Sequence, residues 1–197
     1  MEIWALIPVK PLAESKTRLA LALKPPDRVK LVRAMLHHTL QVLGRVRKLG
    51  GVAVVTPDVA VSALAIEYGA RVLHEPCAPG LNASLSWATT HLRDAGAGGV
   101  LVIPGDLPLL REESVEALLA AATSPGVVVS PDRHRQGTNA LLVAPPSLIP
   151  YRFGRDSFQR HQDAATAAGV KPVVVETPDL AADVDLPEDL SVVEAMR

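Results

Sequence analysis

The sequence predicts an open α/β fold, in which helices cover both faces of a mainly parallel β-sheet. Short apolar runs alternate with longer segments of helical periodicity through most of the 197 residues. The runs Val52–Val55 and Val100–Ile103 are continuously apolar, as expected of strands that are buried on both faces. The chain has no internal repeat and no linker long enough to separate two domains, so a single domain over residues 1–197 is expected.

The individual elements follow from local patterns along the chain. Apolar runs of strand length predict strands at Ile3–Ile7, Val52–Thr56, Arg71–His74, Gly99–Ile103, Val127–Ser130, Ala140–Val143 and Pro172–Glu176. Helical periodicity predicts helices at Asp27–Leu43, Ala60–Tyr68, Leu81–Ala95, Ser114–Ala122, Ser157–Ala168 and Pro187–Met196. The less regular pattern from Ala140 onward favours an antiparallel strand there. Because ligands of such sheets bind beyond the C-terminal ends of the strands, a site is expected in the loops that follow them.

Composition argues against several classes of protein. The formal net charge is -1 and aromatic residues make up 3%, which disfavours binding of nucleic acid through a basic or stacking surface. Cys77 is the only cysteine, so a disulfide framework is excluded and a reducing, cytoplasmic compartment is expected. No apolar run approaches the roughly 18 residues of a membrane span, and the N-terminus lacks a signal-peptide pattern. The histidines show no zinc-site spacing.

The loop after the first predicted strand is cationic. It carries Lys10, Lys16 and Arg18, and an apolar helical pattern begins at Leu19. A helix N-terminus and loop cations that point at the same place form a phosphate-binding arrangement. No glycine occurs between Met1 and Gly44, so neither a P-loop nor a glycine-rich dinucleotide motif can form here. Side-chain cations would have to bind the phosphates, although solvated surface lysines would give the same pattern.

Acidic residues follow the fourth predicted strand and recur near the C-terminus. In Pro104-Gly105-Asp106-Leu107-Pro108, the carboxylate of Asp106 is expected to project into the crevice where phosphates would bind. A carboxylate beside phosphates requires a cation between them, and Mg²⁺ prefers these ligands. In Asp183-Val184-Asp185, Asp185 is the better candidate for a second metal ligand. Glu188 and Asp189 fit a structural role at a helix start.

Three other loops carry polar residues with two possible roles each. Thr56 or Asp58 fits a helix cap. Gly80 allows close approach of a ligand, and Asn82 could cap a helix or present its amide to a base or ribose. Gly154 with Ser157 at a helix start predicts a small anion site made of N–H groups and a hydroxyl. Positive charge beside it is expected from Arg152, Arg155, Arg160 and His161.

Taken in order, these segments resemble one known family. IPVKPLAESKTRL, GLNAS, IPGDLPLL, QGTNALL, RFGRDSFQRH and DVDLPEDL are similar to the guanylyltransferases that act on phospholactate or phosphoenolpyruvate in the synthesis of the deazaflavin coenzyme F-420. The resemblance runs from end to end, and it implies a three-layer α/β/α nucleotidyltransferase fold with a mixed, mainly parallel sheet. It also implies transfer of GMP from GTP to a phosphorylated three-carbon acid, release of pyrophosphate, and a homodimer.

The resemblance further implies roles for particular residues. Lys16 and Arg18, with Lys10, would hold the triphosphate, and Mg²⁺ would lie on Asp106 and Asp185. The guanosine part would bind at Gly80, Leu81 and Asn82. The phospho-acid would be held by Thr138, Gly154 and Ser157, with Asn139 beside them. Leu186 stands where the family usually has threonine, so a hydroxyl contact at that position is absent.

Two other functions fit part of the pattern. A molybdopterin- or sugar-type nucleotidyltransferase would use the same metal site, but the glycine-rich opening of those enzymes is missing. A non-catalytic nucleotide-binding regulatory domain would keep the cationic loop but would not need Asp185. The identity of the acceptor also stays open at this point, among phospholactate, phosphoenolpyruvate and 3-phosphoglycerate.

Overall fold

A computed structural model describes residues 1–74 and 80–194. The strands are β1 (Ile3–Pro8), β2 (Leu49–Val55), β3 (Arg71–Leu73), β4 (Gly99–Val102), β5 (Gly126–Pro131), β6 (Thr138–Ala144) and β7 (Val173–Val174). The α-helices are α1 (Pro25–Arg45), α2 (Val59–Glu67), α3 (Leu81–Asp94), α4 (Glu112–Ala120), α5 (Ser157–Ala167) and α6 (Leu190–Glu194). The segment Cys77–Pro79 and the predicted continuation of the last helix to Met196 lie outside the described residues.

The strands form one seven-stranded sheet in the order β3-β2-β1-β4-β6-β5-β7. Strand β1 lies in the middle and pairs in parallel with β2 and β4. Strand β6 is antiparallel to both of its neighbours, β4 and β5. This confirms the prediction of a mainly parallel sheet with an antiparallel member after Ala140.

Apolar side chains bury both faces of the sheet, as the continuously apolar strands predict. Alternate residues of a strand point to opposite faces. Ala5 and Ile7 pack with Leu36 of α1 on one face, whereas Leu6 packs with Leu85 of α3 on the other. The result is three layers, helix on sheet on helix. No helix in the described ranges is both long and apolar enough to cross a bilayer.

The first loop differs from its predicted structure. Two short 3-10 turns, Leu12–Glu14 and Thr17–Leu21, occupy the region where the apolar helical pattern begins at Leu19, whereas the helix predicted at Asp27–Leu43 is confirmed as α1. Helix α1 starts only at Pro25, because Pro25 and Pro26 fit the first turn of a helix but not its interior. The positive end of a long helix therefore does not follow the loop cations directly, and that part of the phosphate-site interpretation is wrong.

Candidate active site

A cleft of about 770 Å³ opens beyond the C-terminal ends of β1 and β4. The loop after β1, the start of α3, the loop after β4 and the acidic segment near the C-terminus all contribute to it. Seven of the residues singled out from the sequence line this cleft, namely Lys10, Lys16, Arg18, Gly80, Leu81, Asp106 and Asp185. Residues that are far apart in the chain thus lie together at the strand ends, where ligands of such sheets bind.

A lysine lies between two carboxylates in the cleft. The Lys16 ammonium donates hydrogen bonds to Asp106 Oδ2 and, at 2.7 Å, to Asp185 Oδ1. The Lys16 side chain is only 10% exposed. Burial by itself would lower the pKa of Lys16, but the two carboxylates outweigh it and raise this pKa above its ordinary value. Lys16 therefore stays charged, and its backbone adopts the left-handed conformation (φ 54°) that brings it into the cluster.

Arg18 contributes a second, more exposed cation at the edge of the cluster. Its guanidinium lies 3.7 Å from Asp185 Oδ2, and its side chain is 72% exposed. An exposed pair at this distance contributes little to stability. Arg18 is therefore able to turn toward an incoming anion at small energetic cost.

Asp106 carries an atom that suits a divalent ion. Its Oδ1 is buried and, among the described residues, has no hydrogen-bond partner, although a buried carboxylate oxygen normally has one. No group of three or more histidine, cysteine or acidic side chains in residues 1–74 and 80–194 could enclose a metal ion. An ion here would have two carboxylates and would complete its shell with ligand or water oxygens. That donor set fits Mg²⁺, which is commonly held by one or two carboxylates and substrate phosphates.

Asp189 fixes the backbone that presents Asp185. Its Oδ2 accepts the N–H groups of Asp185, at 2.8 Å, and Leu186, at 2.7 Å. Its other carboxylate oxygen lies 2.8 Å from the Arg133 guanidinium. Burial tends to raise the pKa of Asp189, but the two N–H donors and Arg133 lower it overall. The structural role predicted for Asp189 is therefore confirmed.

Asp183 and Asn139 form a contact beside the cluster. The Asn139 amide donates to Leu180 O at 2.9 Å and to Asp183 Oδ1 at 3.1 Å. Burial, and then the charges of Asp106 and Asp185, raise the pKa of Asp183 despite this hydrogen bond. Asp183 thus faces β6, whereas Asp185 faces Lys16. Asn139 does not line the cleft, and its amide supports the acidic segment.

Asn82 joins the start of α3 to the loop before α5. Its amide donates to Phe153 O at 3.1 Å and accepts from Phe153 N–H at 2.8 Å. The N-cap of α3 is Gly80, whose φ of 120° favours glycine, so the cap interpretation of Asn82 is wrong. The Asn82 amide is thus oriented by Phe153, and this contact uses one of its two N–H donors and one lone pair of its oxygen.

A buried hydroxyl–imidazole network holds the other predicted acid-binding residues. Ser157 Oγ donates to Thr138 Oγ1 at 3.0 Å, and His161 Nδ1 lies 3.0 Å from the same Thr138 oxygen. Arg152 N–H donates to His161 Nε2 at 3.0 Å. We define Thr138, Ser157 and His161 as the hydroxyl–imidazole network. It lies outside the lining of the charged cleft.

The network corrects one prediction about charge. His161 was expected to supply positive charge, but it is fully buried, and burial lowers its pKa to about 4. It is therefore neutral near pH 7. Ser157 and His161 are four residues apart and share one face of α5, a spacing that allows both side chains to contact Thr138.

The predicted anion site at the start of α5 also differs from expectation. The Ser157 N–H donates to Gly154 O and the Phe158 N–H donates to Gln136 O, both at 3.2 Å. These two N–H groups are used within the protein. Gly154 has φ 117°, which explains the glycine. At the start of α5, the groups that could donate to an anion are therefore the hydroxyls of Ser157 and Thr138.

Thr138 and Asn139 are neighbours on β6 that serve opposite faces of the sheet. Thr138 contacts α5, which packs on the face of Leu6, whereas Asn139 contacts Leu180, which belongs to the face of Ala5. A strand alternates its side chains in this way. The beginning of β6 therefore connects the network with the acidic segment.

Asp58 anchors the cationic loop as well as α2. Its Oδ1 accepts from Ala60 N–H at 2.8 Å and Val61 N–H at 3.2 Å, which confirms the predicted helix cap. Its Oδ2 accepts from Leu12 N–H at 2.8 Å. Sequence reasoning missed this second contact, which ties the loop after β1 to the start of α2.

Comparison with known proteins agrees with this geometry. The family model described as "Guanylyl transferase CofC like" matches residues 3–195. A phosphoenolpyruvate guanylyltransferase of Rubrobacter xylanophilus is 43% identical over 99% of this chain and 95% of its own. One of Sphaerobacter thermophilus is 38% identical over 94% of this chain and 89% of its own.

Solved structures with little sequence identity share the fold. A nucleotidyl transferase of a Methanothermobacter species superposes with a TM-score of 0.73 at 19% identity, covering 99% of this chain and 97% of the other. A 4-diphosphocytidyl-2C-methyl-D-erythritol synthase of Anaerococcus prevotii gives a TM-score of 0.68 at 13% identity, covering 98% and 95%. The nucleotidyltransferase fold is thus confirmed, and the chain belongs to the guanylyl transferase CofC-like family of nucleotidyltransferases.

Proposed function

We propose that the protein transfers GMP from GTP to phosphoenolpyruvate and releases pyrophosphate. The observation that carries the proposal is the Lys16–Asp106–Asp185 cluster at the ends of β1 and β4, in a cleft large enough for a nucleotide. The names of the curated relatives support phosphoenolpyruvate over phospholactate or 3-phosphoglycerate as the acceptor. The product would enter coenzyme F-420 synthesis, as the resemblance implies.

The reaction would be a substitution at the α-phosphorus of GTP. A phosphate oxygen of phosphoenolpyruvate forms the new bond to this phosphorus, and the bond to the oxygen that bridges to the β-phosphorus breaks. Both electrons of the broken bond leave with pyrophosphate. The attacking oxygen is already anionic near neutral pH, so no general base is required. The protein has to bring two anions together in line, which is a matter of positioning and charge compensation.

Lys16, Arg18 and Lys10 would bind the triphosphate. Lys16 is buried and charged, so its ammonium provides a strong interaction with a phosphate when it turns from the carboxylates. Arg18 is exposed and can close over the triphosphate from the edge of the cleft. Gly80 and Leu81 line the same cleft and would contact the guanosine part. Loss of one such phosphate contact typically slows the reaction by about 10²-fold.

Asp106 and Asp185 would hold Mg²⁺, with the buried Oδ1 of Asp106 as one ligand. When bound, Mg²⁺ would compensate negative charge on the two substrates. Thr138, Gly154 and Ser157 would hold the phospho-acid, and the two hydroxyls lie together at one end of β6. A homodimer remains a prediction from the family resemblance.

A product assay tests the proposal directly. Purified protein is incubated with GTP and Mg²⁺ and with phosphoenolpyruvate, phospholactate or 3-phosphoglycerate in turn. Pyrophosphate release is followed, and the guanosine diphospho-acid is identified by mass. We expect the highest kcat/KM with phosphoenolpyruvate, and ATP in place of GTP serves as the control for the base. Pyrophosphate release with none of the acids would contradict the proposal, as would release that does not depend on an acid.

A further inference from the structure

We propose that His161 is a positioning residue that orients the Thr138 and Ser157 hydroxyls so that one of their protons is directed at an anionic group of the acceptor acid. The inference rests on the proposed function, since it concerns the residues that would hold the acid. It adds a role for a side chain that does not itself touch the substrate.

The hydrogen bonds fix the tautomer of His161. A backbone N–H can only donate, so Arg152 N–H at 3.0 Å requires an unprotonated Nε2. In a neutral imidazole the proton is then on Nδ1, and Nδ1–H donates to Thr138 Oγ1 at 3.0 Å. The ring is fully buried and its pKa is lowered to about 4, so it stays neutral where the enzyme would work.

The fixed tautomer determines what the hydroxyl pair can donate. Thr138 and Ser157 have one hydroxyl proton each. One proton is used in the 3.0 Å hydrogen bond between the two oxygens. Thr138 cannot give the other proton to His161, because His161 is itself the donor there. In the part of the chain that the structure describes, the second proton has no acceptor, so it is free for an oxygen of an anionic ligand.

Arg152, which donates to Nε2 of His161, is held in place through its neighbour Phe153. Phe153, which follows Arg152, is held at both its N–H and its carbonyl by the Asn82 amide. Asn82 lies next to Leu81, which lines the charged cleft. The loop that fixes the tautomer is therefore attached to the helix that borders the nucleotide side. His161 is thus held in place by backbone contacts on one side and presents a donor on the other.

Two amide variants test the roles of the two ring nitrogens of His161 separately. His161→Asn retains an amide at the position of Nδ1 and can still donate to Thr138. His161→Gln retains an amide near Nε2 but removes the donor to Thr138. We expect His161→Gln to raise KM for phosphoenolpyruvate about 10-fold, the effect of one lost hydrogen bond, with KM for GTP almost unchanged. His161→Asn should restore KM for phosphoenolpyruvate to within about threefold of the unmodified enzyme.

Several results would overturn the inference. An unchanged KM for phosphoenolpyruvate in a folded His161→Gln enzyme would do so. Equal losses with both substrates in both variants would mean a purely structural role. Independently of any variant, long-range ¹H–¹⁵N correlation spectra of the unmodified protein should show the Nδ1–H tautomer, and an Nε2–H tautomer would refute the argument even if the variants failed to fold.

Failure of the proposed function would be recognised separately. In that event the unmodified enzyme would release no pyrophosphate with any acid. Calorimetric titration with phosphoenolpyruvate alone would then decide about His161. Weaker binding to His161→Gln than to His161→Asn would support the positioning role, whereas equal binding, or no binding to any form, would contradict it.

Discussion

The charged cleft and the hydroxyl–imidazole network handle anions in opposite ways. In the cleft, Lys16 forms ion pairs with Asp106 and Asp185, and Arg18 remains largely in solvent. In the network, Thr138, Ser157 and His161 are neutral and buried. The charged cleft thus offers cations that are paired with carboxyl groups, and the network offers oriented hydroxyl dipoles.

This difference would suit the two proposed substrates, which differ in charge. A triphosphate carries several negative charges and needs cations for binding and for departure of pyrophosphate. A small phospho-acid would have to be bound without much loss of electron density from its attacking oxygen. Neutral hydrogen-bond donors withdraw less electron density than the ammonium group of a lysine. The comparison predicts that the two regions respond differently to mutation and to pH.

Asp106→Asn should give the largest effect, because it removes a ligand of the proposed metal site without removing a core group. We expect a loss in kcat of about 10³-fold or more with unchanged thermal unfolding. Pyrophosphate release at a fixed concentration of Mg²⁺ measures this loss. Asp94→Asn, which changes an exposed acid at the end of α3, is the control and should behave like the unmodified enzyme. Normal activity of Asp106→Asn would remove the basis for assigning the charged cleft to catalysis.

Acid should destabilise the protein through the network. His161 has a pKa near 4 when folded and an ordinary value near 6.5 when unfolded, so the unfolded state binds the proton first. The contribution of neutral His161 to the free energy of unfolding is fully present above pH 6.5. It is lost as the pH falls toward 4, and the loss is on the order of 3 kcal/mol. Urea unfolding between pH 7 and pH 4 measures this loss. His161→Asn should lack this part of the pH dependence, and identical pH profiles of the two proteins would mean that His161 is not neutral by burial.

Lys16→Ala should mainly weaken the use of GTP. The expected loss in kcat/KM for GTP is about 10²-fold, since one buried cation at the triphosphate is removed. Affinity for Mg²⁺ should not fall, because Asp106 and Asp185 lose a competing partner. Kinetics with varied GTP, together with titration of Mg²⁺, test both statements. Lys24→Ala, at an exposed position just before α1, is the matched control. Unchanged GTP kinetics would show that Lys16 only neutralises the two carboxylates.

Asp58→Ala should produce the smallest effect, and on stability. It removes the cap of α2 and the anchor of Leu12, at a cost of about 1–2 kcal/mol. Asp58→Asn can still cap α2, so it should be less destabilised in urea unfolding. Because the anchor holds the cationic loop, KM for GTP should rise more than KM for the acid. A larger change for the acid would break the assignment of this loop to the nucleotide side.

The sequence predicted much of the sheet and of the charged cleft, for identifiable reasons. Continuously apolar runs such as Val100–Ile103 have few conformations other than a buried strand, and strand ends of a parallel sheet converge. Asp106 could therefore be expected near Lys16. The segment before α1 was harder to predict, because the helical pattern that begins at Leu19 forms a 3-10 turn at Thr17–Leu21 and the long helix begins only at Pro25.

The network was beyond local patterns. Whether His161 is charged depends on burial by residues from other elements, and the helical periodicity around it indicates neither this burial nor its contact with Arg152. Asn82 illustrates the same limit, since an amide at a helix start fits a cap, a ligand or a distant backbone. Long-range hydrogen bonds of single polar side chains are decided only when the chain has folded.

The alternation of Thr138 and Asn139 on β6 has a consequence for how such an enzyme can diversify. The separation between the hydroxyl–imidazole network and the acidic segment is set at β6 by the alternation of two neighbouring residues and not by a surface loop. Changes in the length of the hairpin turn at residues 132–137 can alter the surface beside the network, while the spacing of Thr138 and Asn139 on β6 stays constant. A residue inserted between Thr138 and Asn139 would put both side chains on the same face of the sheet, so new acceptors are to be sought by altering the hairpin turn instead.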